Sequence, residues 1–230
     1  MKKLSYNLHT PEISNNDIKS VNNIVRKGWI STSGKIIEDF AKKLQNFLNI
    51  KYCIPVNSGT SALHLSLLSL GVNKDHEIIV PTVSFIAPIN AVKYVGATPL
   101  FFDCDDYLNL DVNKIEKFLQ NNTTFKNGKT INKKTKKIIR CLIVVHVFGV
   151  CADMEKIMSL CKKYNISCVE DSAESLGSNF ISGKFKGYFS GTIGDIGCYS
   201  FNGNKIITTG SGGAVVTNSK KLAKKVFYLS

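Results

Sequence analysis

The sequence predicts an α/β protein of three layers, αβα, in which a mainly parallel sheet is covered by helices on both faces. Three observations lead there. Short β-rich apolar runs recur along the chain, helical patterns of roughly ten residues fall between many of them, and no internal repeat interrupts the alternation. The composition agrees: 43% of the 230 residues are hydrophobic and 20% charged, which fits an ordinary globular chain rather than a disordered or fibrous one.

In order along the chain, a polar opening leads to a helix over residues 14–27, with Ser14 as its N-cap. Gly28-Trp29-Ile30-Ser31-Thr32-Ser33-Gly34 is a loop, and an amphipathic helix follows over 35–48. The apolar runs 52–56, 77–80, 98–102, 138–146, 167–170, 196–200 and 213–217 are strands. Helices are expected over 61–70, 88–95, 112–120 and 154–164. The poorly patterned stretch 121–137 is a surface insertion with a hairpin-like turn at Asn127-Gly128. Residues 219–230 open a further amphipathic helix carrying Leu222, Val226 and Leu229, and no terminating signal follows. The chain is therefore expected to be part of a longer protein.

The formal charge of +13 comes mostly from lysine, six of them within residues 126–137 and without interleaved aromatics. A solvated loop accounts for that cluster; charge alone would argue for a nucleic-acid partner, and none is expected. No apolar run approaches a membrane span, and the first seven residues lack the apolar core of a signal peptide, so a cytoplasmic protein with no membrane partner is expected. Cysteines 53, 104, 141, 151, 161, 168 and 198 form no C-x-x-C pair and fall largely in apolar runs. They are expected to be reduced thiols, with no metal site.

Chemistry concentrates at strand ends. Lys205 lies in Ser200-Phe201-Asn202-Gly203-Asn204-Lys205-Ile206-Ile207-Thr208-Thr209-Gly210, five positions after the serine that ends a predicted strand. Most lysines in so basic a chain are surface groups, but this neighbourhood is glycine-rich and low in charge. Asp171 ends another strand, where ligands bind in open α/β sheets, although an aspartate there also suits a helix N-cap. An amine able to form a Schiff base and a carboxylate able to hold a ring nitrogen protonated are what a pyridoxal phosphate (PLP) enzyme needs. Val56-Asn57-Ser58-Gly59-Thr60-Ser61 turns a strand into a helix whose free N–H groups and hydroxyls could cradle a phosphate, or could simply cap the helix. Phe85 follows a strand and could lie flat on a planar ring or belong to the core.

Several segments carry a resemblance: Asn57 to His64, Phe85 with Asn90-Ala91, Phe102-Asp103-Cys104-Asp105, Val145-His146-Val147-Phe148-Gly149, Glu170 to Gly177, and Ser200 to Gly213. In them the chain resembles, across nearly its whole length, the sugar-nucleotide aminotransferases of the DegT/DnrJ/EryC1/StrS family, which have the type I fold of PLP enzymes. The segment 202–210 and the lysine-rich insertion are similar to the branch that aminates UDP-4-keto-6-deoxy-N-acetylglucosamine on routes to bacillosamine or legionaminic acid.

The resemblance implies PLP as cofactor, with Lys205 as its Schiff-base amine and the proton shuttle. It implies Asp171 at the ring nitrogen, Phe85 against the ring, and Gly59, Thr60, Ser61 and Ser200 at the phosphate. Glu174 falls near the ring hydroxyl, where many members carry glutamine. Glutamate would be the amino donor and a UDP-linked 4-keto-6-deoxy sugar the acceptor, in surface-glycan or nonulosonate sugar biosynthesis. A related group of dehydratases carries histidine in place of the lysine, and Lys205 argues against that chemistry. The Trp29 loop would help to close over the sugar. Family members are homodimers that continue into a C-terminal domain. Residues 1–230, with the helix and loop of 1–34 included, are thus expected to be the PLP-binding large domain of a truncated chain. The alternatives are an inactive remnant that keeps the fold, or another type I PLP enzyme such as a lyase or a desulfurase using Cys151.

Overall fold

The structure, a computed structural model, describes residues 10–230, so the expectation drawn from the first seven residues lies outside it. Helix α1 (Asn15–Arg26) starts at Ser14, whose Oγ accepts from the Asp17 N–H while the Asp17 carboxylate accepts from Ser14. No side chain of α1 is buried. Helix α2 (Lys35–Leu48) buries Leu44 and Leu48 and ends at the left-handed residue Asn49. The alternation then runs β1 (Tyr52–Val56), α3 (Gly59–Ser69), β2 (His76–Pro81), α4 (Ile86–Tyr94), β3 (Thr98–Phe102) and α5 (Val112–Asn122). It continues with β4 (Thr123–Lys126), β5 (Lys129–Asn132), β6 (Ile138–Val145), α6 (Met154–Tyr164), β7 (Ser167–Asp171), β8 (Ile196–Ser200), β9 (Gly213–Thr217) and α7 (Lys220–Leu229). No helix among the described residues is long and apolar enough to cross a membrane.

The main sheet has the spatial order β1-β9-β8-β7-β6-β2-β3. Every neighbouring pair is parallel except those made by β9, which is antiparallel to both β1 and β8. One reversed strand leaves the C-terminal ends of all the others on a single edge.

Successive strand residues point to opposite faces, and each face is apolar where a helix lies on it. Ile143, Val169 and Cys198 join Leu63, Leu67, Ala91 and Val226 of α3, α4 and α7 in one core. Leu142, Val144 and Cys168 join Ile115, Leu119, Ile157 and Leu160 of α5 and α6 in another. At the β1 end, Tyr199, Ala214 and Val216 meet Leu44 and Leu48 of α2. Each fully buried aliphatic side chain contributes roughly 1.5–3 kcal/mol by leaving water. This is the predicted three-layer arrangement.

The stretch 121–137 is more integrated than a surface insertion. Asn127 and Gly128, at φ 51° and 70°, supply the two left-handed positions of a tight hairpin joining β4 to β5. Strand β5 pairs with β6 at Ile131–Ile138, Asn132 Nδ2 donates to the buried Glu77 carboxylate at 2.7 Å, and Thr130 Oγ1 donates to the Tyr164 carbonyl. Its anchors are polar, so hydrophobic patterning does not reveal them.

Candidate active site

Register brings the predicted residues to one edge. Val56 and Ser200 both align with Gly213 across β9, Asp171 aligns with Cys198, and Val145 with Asp171. The ends of β1, β8, β7 and β6 are therefore neighbours, and the loops leaving them converge.

At the β1 end, the chain turns directly into α3. Ser58 caps the helix: its Oγ accepts from the Ser61 N–H at 3.1 Å and lies 3.0 Å from Ser61 Oγ. The N–H groups of Gly59 and Thr60, in the first turn, have no intrahelical acceptor and lie at the positive end of the helix dipole. Gly59 is required by crowding, since a Cβ there would stand 2.8 Å from Cβ of Ser200. The glycine thus lets the helix start press against the end of β8, bringing its free N–H groups close to the Ser200 hydroxyl.

Lys205 lies in the turn after β8, held by its own N–H donating to the Asn202 carbonyl at 3.0 Å. Its side chain is 14% exposed, and its Nζ reaches two groups. Glu174 Oε1 is 3.3 Å away, and the ring of Phe85, the N-cap residue of α4, is centred 6.0 Å away. Phe85 is 72% exposed, so the core alternative does not hold and its ring is free to face a ligand.

Asp171 is buried at the end of β7, and burial pushes its carboxyl up to about 6. A hydrogen bond from the Ala173 N–H and the positive charge of Lys205 oppose that rise. The aspartate therefore caps the following turn and is electrostatically coupled to Lys205 as well. The structure brings Lys205, Glu174, Phe85 and Asp171 together at one end of the site, and Gly59, Thr60, Ser61 and Ser200 at the other.

Sequence reasoning gave no role to three residues that shape this edge. Glu170, completely buried, accepts from the N–H groups of Gly191, Ile193 and Gly194 and from His146 Nε2 at 3.0 Å. This carboxylate ties β7 to β6 and to the loop entering β8, immediately beside Asp171. Phe148 is left-handed at φ 50°, ψ 27°, an uncommon conformation for an aromatic residue, and is 76% exposed. Its N–H points to Glu174 Oε2 at 3.4 Å. The signal available in the sequence was the pair of polar residues, His146 and Glu170, closing two adjacent apolar strands.

Trp29 folds back on its own loop, with Nε1 donating to the Ser33 carbonyl at 2.8 Å. All seven cysteines are unpaired; Cys151 is half-buried and burial raises its thiol. A cavity of about 610 Å³ lies between α6 and the 184–195 segment, at the opposite end of β7, and includes none of the predicted site residues.

The fold is that of pyridoxal-phosphate-dependent aminotransferases. A putative sugar aminotransferase from Streptococcus pneumoniae, solved in its PLP form, superposes with a TM-score of 0.81 at 26% identity, over 99% of this chain and 58% of that one. The chain belongs to the DegT/DnrJ/EryC1/StrS aminotransferase family, matching it over residues 11–230. It is 41% identical to a GDP-perosamine synthase of Escherichia coli O157:H7, over 94% of this chain and 54% of the relative. It is 34% identical to the UDP-4-amino-4,6-dideoxy-N-acetyl-beta-L-altrosamine transaminase of Campylobacter jejuni, over 87% of this chain and 48% of the relative. The chain spans about half the length of the curated relatives it matches.

Proposed function

We propose that residues 1–230 are the cofactor-binding domain of an enzyme that moves an amino group from an amino acid to the keto carbon of a nucleoside-diphosphate-linked deoxy sugar. The observation that carries this reading is the convergence of a half-buried lysine amine, an aromatic face and a buried strand-end carboxylate next to an open helix start. That set fits pyridoxal phosphate: the start of α3, which Gly59 allows to pack against Ser200, suits its phosphate, and the Lys205 amine suits its aldehyde. When bound, the cofactor supplies an aldehyde that reacts with amines and a ring that accepts an electron pair.

The chain's own residues then divide the work. Gly59 and Thr60 offer N–H groups, and Thr60, Ser61 and Ser200 hydroxyls, to the phosphate. Phe85, exposed and close to the Lys205 amine, would offer its face to the ring. Asp171 pairs with the ring nitrogen; its burial makes the carboxylate costly to ionise alone, and a cationic partner offsets that cost. Lys205 would be the amine that holds the cofactor covalently, and when free its amine would be the base that takes up and returns a proton. Glu174 stands at the ring hydroxyl.

Glutamate as donor follows the resemblance. For the acceptor, the more identical relative is named for a GDP sugar and the other for a UDP sugar, so both nucleotides belong to the proposal, while a 4-keto-6-deoxy sugar follows the resemblance. A homodimer in which a second copy covers the exposed Phe148, Ile206 and Ile207 completes the reading, as does a cytoplasmic location suited to free thiols.

The test is to mix the 230-residue chain with PLP, reduce with borohydride and map the modified residue by peptide mass spectrometry, before and after adding glutamate. Label on Lys205 that disappears after glutamate supports the reading. Label elsewhere, or none, refutes it.

A further inference from the structure

Glu174 is a carboxylate at a place where holding a ring hydroxyl would need only an amide, and the structure shows what the carboxylate touches. Oε1 lies 3.3 Å from Lys205 Nζ, the one hydrogen-bond partner of that nitrogen among the described residues. Oε2 faces the N–H of Phe148 at 3.4 Å, so the group is held from its far side by a backbone donor in a left-handed turn. Gly149 continues that turn at φ 82°, and a Cβ there would press to 3.3 Å on the Glu174 carbonyl oxygen and on Ser178 Oγ.

The two acids near Lys205 differ in their access to water. Asp171 is buried and its Oδ1 is occupied by the Ala173 N–H. The Glu174 side chain is 42% exposed, against 14% for Lys205. Glu174 is therefore in contact with both the amine and solvent, and a carboxylate can take up and return a proton where an amide cannot.

We propose that Glu174 is a catalytic residue for covalent capture of the cofactor: it takes a proton from the Lys205 ammonium and then returns it to expel water. This rests on the reading that Lys205 is the residue that binds pyridoxal phosphate. In the balanced step, the Lys205 ammonium gives one proton to Glu174 and the freed amine lone pair bonds to the aldehyde carbon. The C=O π pair moves to oxygen, which takes the second nitrogen proton. Glu174 then returns its proton to that hydroxyl, water leaves, and a protonated C=N link remains. The carboxylate is regenerated, and no oxidant or reductant is needed. When a donor amine displaces Lys205, the same contact gives the released amine a place to hold its proton.

The experiment compares the wild-type chain with Glu174→Gln and Glu174→Ala, using Lys205→Ala as the labelling control. Rapid mixing with PLP gives the attachment rate, borohydride trapping with mass spectrometry identifies the residue, and titration with pyridoxamine phosphate, which has no aldehyde, gives the non-covalent affinity. In Glu174→Gln the attachment rate is expected to fall about a hundredfold while the pyridoxamine phosphate affinity stays within about twofold. Added formate is expected to restore part of the rate in Glu174→Ala. Attachment at the wild-type rate in Glu174→Gln, with label still on Lys205, overturns this proposal and leaves the cofactor reading standing. So does a parallel loss of rate and of pyridoxamine phosphate affinity, because Glu174 would then only hold the ring. Wild-type label on a residue other than Lys205, or none, overturns the cofactor reading and this proposal with it.

Discussion

His146 Nε2 donates to Glu170 at 3.0 Å in a pair sealed completely from solvent. The Ala152 N–H donates to the other ring nitrogen, Nδ1, and this pattern assigns the imidazole proton to Nε2. Glu170 thus gathers four donors, three of them backbone N–H groups of the loop entering β8. It is the fastener that fixes Asp171 relative to Ser200.

Glutamine at position 170 has one acceptor oxygen and an NH₂ that would oppose a donor. Glu170→Gln is expected to lower stability by about 2–4 kcal/mol, from leaving buried donors unpaired. Urea unfolding checks this; a loss under about 1 kcal/mol would mean that loop 191–194 rearranges to find other acceptors.

Asp171 gives a pH signature in the cofactor-free protein. Its folded carboxyl titrates near 6 because of burial, against about 4 in the unfolded chain, so between those values the folded state binds the extra proton. Stability therefore falls as pH rises from about 4 to about 6, by up to about 3 kcal/mol, and the loss persists above that. Asp171→Asn is expected to melt higher than wild type at pH 8 and to match it at pH 4, while retaining PLP poorly. Equal melting temperatures at pH 8 would show that the folded carboxyl is not raised.

Much of this architecture is legible in the sequence, because strand ends and helix starts are local events. Ser14 and Ser58 cap the helices they precede, and Lys205 and Asp171 take the positions that their strands dictate. The β9 reversal also left a trace: no helical pattern lies between residues 200 and 213, and a parallel crossover needs about a dozen residues, usually a helix. Two features were not legible. The Glu170 cluster depends on backbone N–H groups, which carry no residue signature, and the hairpin anchors pair Asn132 with Glu77 across distant segments.

Close packing of α3 on β8 predicts a compensating pair. Gly59→Ala places a methyl 2.8 Å from Ser200 Cβ, and is expected to cost about 1–3 kcal/mol and to weaken PLP retention. Adding Ser200→Gly removes the obstructing carbon and should recover most of the stability. A double-mutant cycle with no coupling between the two positions would contradict this packing.

Phe148 carries a backbone conformation that its side chain disfavours. Asparagine tolerates the left-handed region better, so Phe148→Asn is expected to gain up to about 1 kcal/mol, whereas Phe148→Val should lose a similar amount. Calorimetry on both variants decides it. If both lose stability, the exposed ring is making contacts that outweigh the strain.

The reversed strand has a kinetic side. Among the described residues strand β1 pairs with β9, which follows every other strand of the sheet in the chain, so on the ribosome its edge stays unzipped while the strands between them are made. The phosphate cradle, which straddles that late junction, cannot exist before it closes. Vitamin B6 uptake by a nascent or refolding chain should therefore follow the closure of β1 on β9, not precede it.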